Sequence, residues 1–305
     1  MLLAAAASTW ADDEPAFRAA GTEAAAGPAQ PGMSSLQAVV LGAVEGITEF
    51  LPISSTGHLL IVQKLLGLGR TPEQKSASDA YAICIQLGAI LAVFVISFGR
   101  IRRMVLGIFG KDPQGLRLLG KLAAAFVPAA VIGLFFEDRL KSYLFGPWPI
   151  AAAWLAGGVF ILLALRRKGA EGGRALEELT WREALIIGVA QCFALWPGVS
   201  RSLATLAAAV LLGLSLPAAV EFSFLLGLVT LGAATVYEGL KQGREIVALF
   251  GWVNPVLGLV VAGITAFVAV RWMIGYLTKR SMAVFGWYRI GLAGVATALI
   301  LTGVL

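Results

Sequence analysis

The sequence predicts an all-α integral membrane protein, built as an inverted-topology repeat with six transmembrane helices and two re-entrant helix pairs. Of the 305 residues, 58% are hydrophobic and only 14% are charged, whereas typical soluble domains carry about 25% charge. Six apolar runs are long enough to cross a bilayer, and two further apolar regions are interrupted by polar residues. This composition excludes a disordered chain, a disulfide scaffold and an ordinary soluble enzyme. Cys84 and Cys192 lie inside apolar runs and are interpreted as core residues.

Residues 1–34 are predicted to be a disordered N-terminal extension, and residues 35–305 to be the membrane domain. The extension is rich in Ala, Gly and Pro, and its apolar run at 2–7 lacks the basic flank of a signal peptide. Met33 is an alternative translation start, and a cleaved signal is the minor alternative.

The charge of the membrane domain points to lipid rather than nucleic acid as its surroundings. Residues 35–305 carry 23 basic and 14 acidic side chains, a net charge of +9 against +6 for the whole chain. An excess of Lys and Arg in a membrane protein is typical of cytoplasmic loops and of contacts with lipid headgroups. No basic cluster accompanies a nucleic-acid-reading motif, so we expect membrane lipids and no nucleic acid as partners.

Uncharged runs of roughly 20 residues, the length that crosses a hydrocarbon core, define the predicted spans. These lie at 80–99, 118–136, 142–165, 217–237, 246–270 and 284–304. Glu221 and Arg289 lie one turn inside the fourth and sixth spans. Because an ionisable side chain at that depth is costly, each is expected to have a buried or interfacial partner.

Two apolar regions, 35–66 and 184–216, do not fit as spans because polar residues and prolines divide them. The helical halves are about 13 or 14 residues long, or roughly 20 Å, and the bilayer core needs about 30 Å. They are predicted to dip into the membrane and return, which requires protein or a water-filled cavity around the break. Amphipathic helices at the interface are the alternative.

The two interrupted regions resemble each other and define an internal repeat. Segment 38–45 is similar to segment 184–191, and a proline follows seven residues later in the first and six in the second, a slip of one. Each region precedes three spans, so repeat one is predicted at about 35–165 and repeat two at about 182–305. Paired interrupted helices in such repeats indicate a site at the repeat interface.

Loop charges predict that the repeats are inverted. The segments 100–117 and 166–183 and the pair Lys279 and Arg280 are rich in basic residues, whereas 137–141 and 238–245 are balanced. The basic segments are therefore expected on the cytoplasmic side. The first interrupted region then enters from outside, and the second enters from inside.

Glu45 and Glu49 are the first candidates for chemistry. They are four residues apart, so they share one helix face. Two carboxylates in an apolar surrounding need a metal ion, a shared proton or a basic partner. The alternative is that both face water at the membrane interface.

A polar segment follows the two carboxylates. Ser54, Ser55 and Thr56 with Gly57 form a turn whose hydroxyl and backbone N–H groups suit phosphate oxygens. His58 is the only histidine, and it titrates near neutrality without any shift. A structural histidine is the alternative, but its position beside carboxylates and hydroxyls favours a catalytic role.

The second interrupted region supplies a basic residue between two serines. Ser200, Arg201 and Ser202 follow Pro197 and Gly198 just before a predicted half-helix. An arginine in this setting suits a bidentate grip on phosphate, with interfacial snorkelling as the alternative. If the repeats meet, Arg201 faces the acidic cluster, and the combined set suits phosphoryl chemistry.

These motifs resemble those of the undecaprenyl-diphosphate phosphatase family, also known as bacitracin-resistance proteins. Segment 45–58 is similar to that family's acidic motif and histidine, and further similarity lies at 86–93, 197–202 and 221–226. The resemblance runs from about Leu36 to the C-terminus. The chain departs from the family in Leu203, where glycine is usual, and in 227–229, where Ala-Ile-Pro is common. These departures leave substrate preference and rate open.

The resemblance implies removal of the terminal phosphate of undecaprenyl diphosphate, a polyprenyl diphosphate lipid, which recycles the carrier for cell-wall synthesis and confers bacitracin resistance. It implies a multi-pass protein of the bacterial plasma (inner) membrane, with its site facing the periplasm. It also implies Mg²⁺ or Ca²⁺ at Glu45 and Glu49. The catalytic set would be Glu45, Glu49, Ser55, His58 and Arg201, with substrate contacts from Arg201, Ser54, Thr56, Ser200 and Ser202.

Several alternatives remain open at this point. The nucleophile is His58, Ser55 or a water molecule, and the sequence does not choose between them. A flippase for the lipid phosphate is the rival function, since broken helices in inverted repeats are typical of transporters. A structural scaffold would explain neither the buried carboxylates nor Arg201. Homodimerisation and prenyl-chain preference are also open.

Overall fold

The computed structural model describes residues 33–68, 72–144, 146–165 and 172–305. Within these ranges the chain is helical, and its one β feature is an isolated bridge between Arg174 and Leu214. The prediction of an all-α protein is therefore confirmed. The predicted extension 1–34 lies outside the described residues except for its last two positions.

Eleven α-helices are described, joined by short 3-10 and π turns. They are α1 Ser35–Thr48, α2 Ser55–Leu65, α3 Pro72–Ile96, α4 Phe98–Ile108, α5 Pro113–Leu144, α6 Pro147–Phe160, α7 Trp181–Gln191, α8 Arg201–Leu211, α9 Leu216–Phe250, α10 Val253–Leu277 and α11 Ala283–Leu301.

Helices that can cross a membrane match the predicted number. Five stretches of the described helices are long and apolar enough: Pro113–Phe136, Pro147–Leu165, Leu216–Tyr237, Val253–Leu277 and Ala283–Leu301. The sixth is the pair α3 and α4, which passes the same test from Cys84 onward but bends by 79°. The chain is therefore a multi-pass membrane protein.

Several of the predicted spans have different bounds in the structure; the one predicted at 142–165, for example, begins at Pro147, because α5 continues to Leu144. The span predicted at 80–99 ends at Ile96, and the basic residues beyond it lie on α4 rather than in a loop. The span predicted at 246–270 is displaced to Val253–Leu277, because α9 continues to Phe250. Gly251 then adopts a φ of +64° and ends that helix. An unbroken apolar run does not reveal such a boundary.

Each interrupted region forms a pair of short helices. Helix α1 has 14 residues and α2, α7 and α8 have 11 each, so all four are too short to cross a bilayer. Helices α1 and α7 begin with matching capping boxes, Ser34 with Gln37 and Thr180 with Glu183. Such caps satisfy the free N–H groups of the first turn.

The first short helix of each pair packs against a long helix from the other half of the chain. Helix α1 lies along α10, and α7 lies along α5. Gly42 and Gly188 make these contacts possible, because a Cβ at either would collide with the backbone at Gly258 or Ala125. Helices α6 and α11 also pack together, as do α3 and α9. This is the pattern expected of two equivalent, interlocked repeats, although their exact boundaries stay predictions.

The segments predicted to be cytoplasmic meet at one end of the molecule. Arg100 donates to Glu221 at 2.6 and 3.1 Å and to Glu177 at 2.6 Å, which supplies the expected partner of Glu221. Thr278, next to the third basic segment, lines the same cavity as Arg100 and Glu221. Parts of all three segments that are predicted to be cytoplasmic thus lie close together.

Candidate active site

Two polar turns, one from each half, lie at the centre of the molecule. Turn one runs from Glu49 to Ser54 and precedes α2, and turn two runs from Trp196 to Ser200 and precedes α8. Ser54 has a φ of 71° and Ser200 a φ of 78°, the two positive values among the described residues other than glycine. Such a conformation costs about 1–3 kcal/mol, so the surrounding structure must hold it in place.

The two serines correct the internal alignment of the repeats. One offset of 146 residues relates Gly42 to Gly188, Glu45 to Gln191 and Ser54 to Ser200. Pro52 and Pro197 are consequently not equivalent, and the slip of one residue disappears. Ser55 and Arg201, the first residues of α2 and α8, are equivalent positions. The position that holds a hydroxyl in one repeat therefore holds a guanidinium in the other.

Arg201 and Glu49 join the two turns. Arg201 Nη2 lies 3.5 Å from Glu49 Oε1, and their side chains are 10% and 6% exposed. Arg201 Nη1 donates to the Ser223 carbonyl at 3.0 Å, and the guanidinium lies 5.3 Å from the Phe50 ring centroid. Its Nε has no partner among the described residues. The guanidinium is therefore anchored but retains a free donor.

Ser55 is hydrogen-bonded to Glu49. Its Oγ donates to Glu49 Oε2 in a short hydrogen bond, while the other oxygen of Glu49 faces Arg201. Ser55 is also the first residue of α2, where free backbone N–H groups and the helix dipole favour negative charge. A carboxylate that accepts from a hydroxyl at this position can serve as its general base.

Glu45 lies one turn before Glu49 on α1 and is fully buried. Both of its carboxylate oxygens lack a hydrogen-bond partner among the described residues. A buried carboxylate in this state needs a cation or a proton to offset the loss of hydration. The sequence-based alternative of a water-facing Glu45 is excluded by this burial.

His58 is held by contacts with turn one, α6 and α11. Its Nδ1 lies 2.6 Å from the Ser54 carbonyl oxygen, so Nδ1 must carry the proton, and Nε2 accepts from the Tyr288 hydroxyl at 2.8 Å. The ring stacks on Tyr288 and packs edge-on against Trp154. Both nitrogens are therefore engaged by Ser54 and Tyr288, and His58 is not among the residues that line the cavity beside Glu49, Ser55 and Arg201.

The remaining predicted contacts divide into two groups. Ser54, Thr56 and Ser200 line the central cavity. Ser202 does not: it is 1% exposed, and its hydroxyl donates to the Leu51 carbonyl at 2.8 Å and pairs with Ser200 at 2.9 Å. Ser202 therefore connects the start of α8 to turn one, and its contact with substrate stays a prediction.

The central cavity is amphipathic and has a volume of about 290 Å³. Its polar end is formed by the two turns, including Glu49, Ser55 and Arg201. Its apolar walls come from α5, α9 and the turn before α8; among the wall residues are Phe126, Ala129, Ala130, Gly133, Leu134, Leu195, Leu231, Ala233 and Ala234. Such a shape fits a ligand with a compact anionic head and a hydrocarbon tail.

Gln86 and Gln191 also line this cavity, and the sequence-based site did not include them. Gln191 is 3% exposed, and neither its amide oxygen nor its amide nitrogen has a partner among the described residues. An amide in the middle of an apolar run was the available signal. Gln191 also occupies the position equivalent to Glu45.

The two departures from the family pattern have different consequences. Leu203 is buried in the main hydrophobic core and does not line the cavity, so it does not narrow the pocket. Gly227 packs directly beneath Arg201, since a Cβ there would collide with the guanidinium. Glycine at 227 therefore gives the arginine its room.

Comparison with known proteins identifies similar chains. The model of the family described as bacitracin resistance protein BacA matches residues 38–295. An undecaprenyl-diphosphatase of Sorangium cellulosum is 47% identical over 85% of this chain and 84% of its own length. Undecaprenyl-diphosphatase 2 of Rhodospirillum rubrum is 48% identical, over 86% of this chain and 94% of its own. An undecaprenyl-diphosphatase of Ectopseudomonas mendocina is 44% identical over 86% of this chain and 94% of its own length.

Proposed function

The chain belongs to the bacitracin resistance protein BacA family, and from that premise we propose the reaction and its mechanism. The protein is an undecaprenyl-diphosphate phosphatase, which converts undecaprenyl diphosphate to undecaprenyl phosphate and inorganic phosphate. This reaction returns the lipid carrier to cell-wall synthesis, and it opposes bacitracin by consuming the diphosphate form of the carrier.

One observation supports this function most strongly, namely the position of the polar group at the end of an apolar cavity. Glu49, Ser55 and Arg201 lie where the diphosphate of a prenyl lipid would end. The apolar walls between α5 and α9 suit the first part of its tail. A soluble phosphate ester has no hydrocarbon tail to contact these apolar walls.

The first step transfers a phosphoryl group to Ser55. Glu49 takes the hydroxyl proton of Ser55, and Oγ attacks the terminal phosphorus. The bond from phosphorus to the bridging oxygen breaks, and undecaprenyl phosphate leaves with the electron pair. Arg201 offsets the charge on the phosphoryl oxygens as this bond breaks, which is where electrostatic stabilisation is most effective.

The second step regenerates the enzyme. A water molecule attacks the phosphorus of phosphoserine, and Ser55 Oγ leaves and recovers the proton held by Glu49. Inorganic phosphate is the second product. His58 holds the carbonyl of Ser54, so in this scheme it fixes turn one in position and is not the attacking group.

A divalent ion fits the site as a further proposal. Within the described residues no group of three or more His, Cys, Asp or Glu side chains could hold a metal ion. Mg²⁺ and Ca²⁺, however, are often bound by one or two carboxylates together with phosphate oxygens and water. The unpartnered oxygens of Glu45 fit this use. Glu45 and Glu49 would hold the ion, which when bound neutralises the charge of the diphosphate.

The proposed location is the bacterial plasma membrane, with the site reached from the periplasmic side. This assignment is supported by the proximity of the three basic segments of the sequence, which would lie in the cytoplasm.

Acid quenching during turnover tests the function and the attacking group together. The purified protein in detergent, mixed with undecaprenyl diphosphate and Mg²⁺, is expected to release phosphate, and detergent offers no second compartment for a flippase to use. Quenched protein should carry an acid-stable phosphoryl group on Ser55, and Ser55→Ala should abolish both signals. Thr56→Ser, which keeps a hydroxyl next to Ser55, is the matched control.

The other outcomes each remove part of the proposal. An acid-labile phosphoryl group that is lost in His58→Ala would identify histidine as the nucleophile. Full phosphate release by Ser55→Ala would leave water as the attacking group. No phosphate release by the wild-type protein would overturn the phosphatase assignment itself.

A further inference from the structure

Arg289 is a buried cation whose hydrogen-bond partners are all backbone carbonyls. It lies on α11, is fully buried, and has no carboxylate within salt-bridge distance among the described residues. Burying a guanidinium without a carboxylate is costly. If Arg289 only filled space, a neutral side chain of similar size would cost less free energy to bury.

The partners of Arg289 belong to both active-site turns. Nη1 donates to the Pro52 carbonyl at 3.3 Å, and Nη2 donates to the Gly198 carbonyl at 2.8 Å. Pro52 lies two residues before Ser54, and Gly198 lies two residues before Ser200. The two acceptors are therefore related by the same offset of 146 residues as the serines. One guanidinium therefore donates hydrogen bonds to equivalent backbone carbonyls of turn one and turn two.

A third contact fixes the guanidinium against α6. Nη2 also donates to the Ala153 carbonyl at 2.8 Å. Gly157, one turn further along α6, leaves the space that the guanidinium fills, because a Cβ there would lie 2.7 Å from Arg289 Cζ. The position of the charge is thus set by the backbone of α6 and by the missing side chain at 157.

We propose that Arg289 is a positioning residue that holds the two turns at the separation which aligns Ser55 with Arg201. Ser55 begins α2 directly after turn one, and Arg201 begins α8 directly after turn two. A planar fork with several N–H donors can bind both carbonyls at once in fixed directions, and a lysine ammonium cannot reproduce that geometry. This inference rests on the proposed function, because it assigns both turns to one phosphatase site.

Gly157→Ala tests the inference without removing the charge, because the added methyl displaces the guanidinium. We expect kcat for undecaprenyl diphosphate to fall by about a hundred-fold, the effect of a displacement near 1 Å. The kcat of Arg289→Met should fall at least as far, and Arg289→Lys should retain part of the activity that Arg289→Met loses. Gly291→Ala is the matched control, since Gly291 is on α11 and has open space at its Cβ.

A distance measurement separates this inference from the proposed function. Spin labels at Thr56→Cys and Trp196→Cys, with Cys84 and Cys192 replaced by serine, report the distance from the start of α2, directly after turn one, to turn two without any turnover. Gly157→Ala should shift or broaden that distance, and Gly291→Ala should leave it unchanged.

Two results overturn the positioning role. One is wild-type kcat in Gly157→Ala or in folded Arg289→Met, and the other is an unchanged distance between the labels. Failure of the phosphatase assignment would instead appear as an inactive wild-type protein in which the label distance still responds to Gly157→Ala.

Discussion

At the scale of single residues, Arg201 combines three interactions that only a guanidinium can make together. It approaches Glu49, donates to the Ser223 carbonyl and lies over the Phe50 ring. The unpartnered Nε remains for a ligand. A lysine would keep the positive charge but would lose the planar fork and the stacking surface.

We therefore expect Arg201→Lys to lower kcat/KM by at least about a hundred-fold, or about 2.7 kcal/mol of transition-state stabilisation. Phosphate release from undecaprenyl diphosphate in detergent measures it. Arg271→Lys is the control, because Arg271 also lies over a phenylalanine ring but is exposed and remote from the cavity. A loss of only a few-fold in Arg201→Lys would mean that charge alone is sufficient.

The residues that break apolar runs could be predicted from the sequence, and their neighbours could not. Glu49, Ser55 and Arg201 stand out because a polar group at membrane depth is costly and needs a reason. The engagement of His58 by Tyr288 depends on a contact across 230 residues, which no local pattern encodes. Gln191 was visible as an amide in an apolar run, but its role required the cavity.

At the scale of elements, the start of helix α7 depends on pH. Glu183 on α7 accepts hydrogen bonds from Arg174 and from the backbone and hydroxyl of Thr180. Arg174, followed by the Thr180 donors, holds the pKa of Glu183 below its ordinary value near 4.5. Because the folded-state pKa is the lower one, the stabilisation is complete above the unfolded value and is lost as pH falls through the folded value.

Glu183→Gln should therefore lower the melting temperature at pH 7 by about 2–4 °C, the equivalent of roughly 1 kcal/mol for a protein of this size. The difference from wild type should shrink as the pH falls below 4.5. Thermal unfolding in detergent between pH 7 and pH 3 measures it, with the exposed carboxylate of Glu178→Gln as the control. An offset that stays constant over this range would assign the effect to packing and not to ionisation.

The pattern of elements was predictable where length and charge decide it. Half-helices of 11 to 14 residues follow from the interrupted apolar runs. The bend at Ser97 and the end of α9 at Phe250 do not, because tertiary packing and a single left-handed glycine determine them. The internal alignment was off by one because the prolines are prominent in the sequence, whereas the equivalent positions are serines of unusual φ.

At the scale of the whole molecule, the interlocked repeats create one cavity with two chemically different ends. The polar end is made by both turns, and the apolar end is made by α5 from the first half and α9 from the second. The lipid's diphosphate and its tail are therefore expected to be bound by different parts of the chain. Binding of the tail should then be separable from the chemical step.

Gly133 on α5 allows that separation to be tested, because it lines the apolar wall and its Cβ would meet only one atom, Leu195 Cδ2, at 4.0 Å. Gly133→Leu would place a branched side chain where the tail lies. Displacing about two buried CH₂ groups costs about 1.6 kcal/mol, or roughly ten-fold in affinity. We expect KM for undecaprenyl diphosphate to rise by about that factor while kcat stays within about two-fold, since uniform binding affects KM alone.

Gly232→Leu, on α9 but outside the cavity, is the control and should change neither KM nor kcat. A fall in kcat at unchanged KM would place the tail elsewhere, and it would mean that the wall of α5 supports the turns and not the lipid.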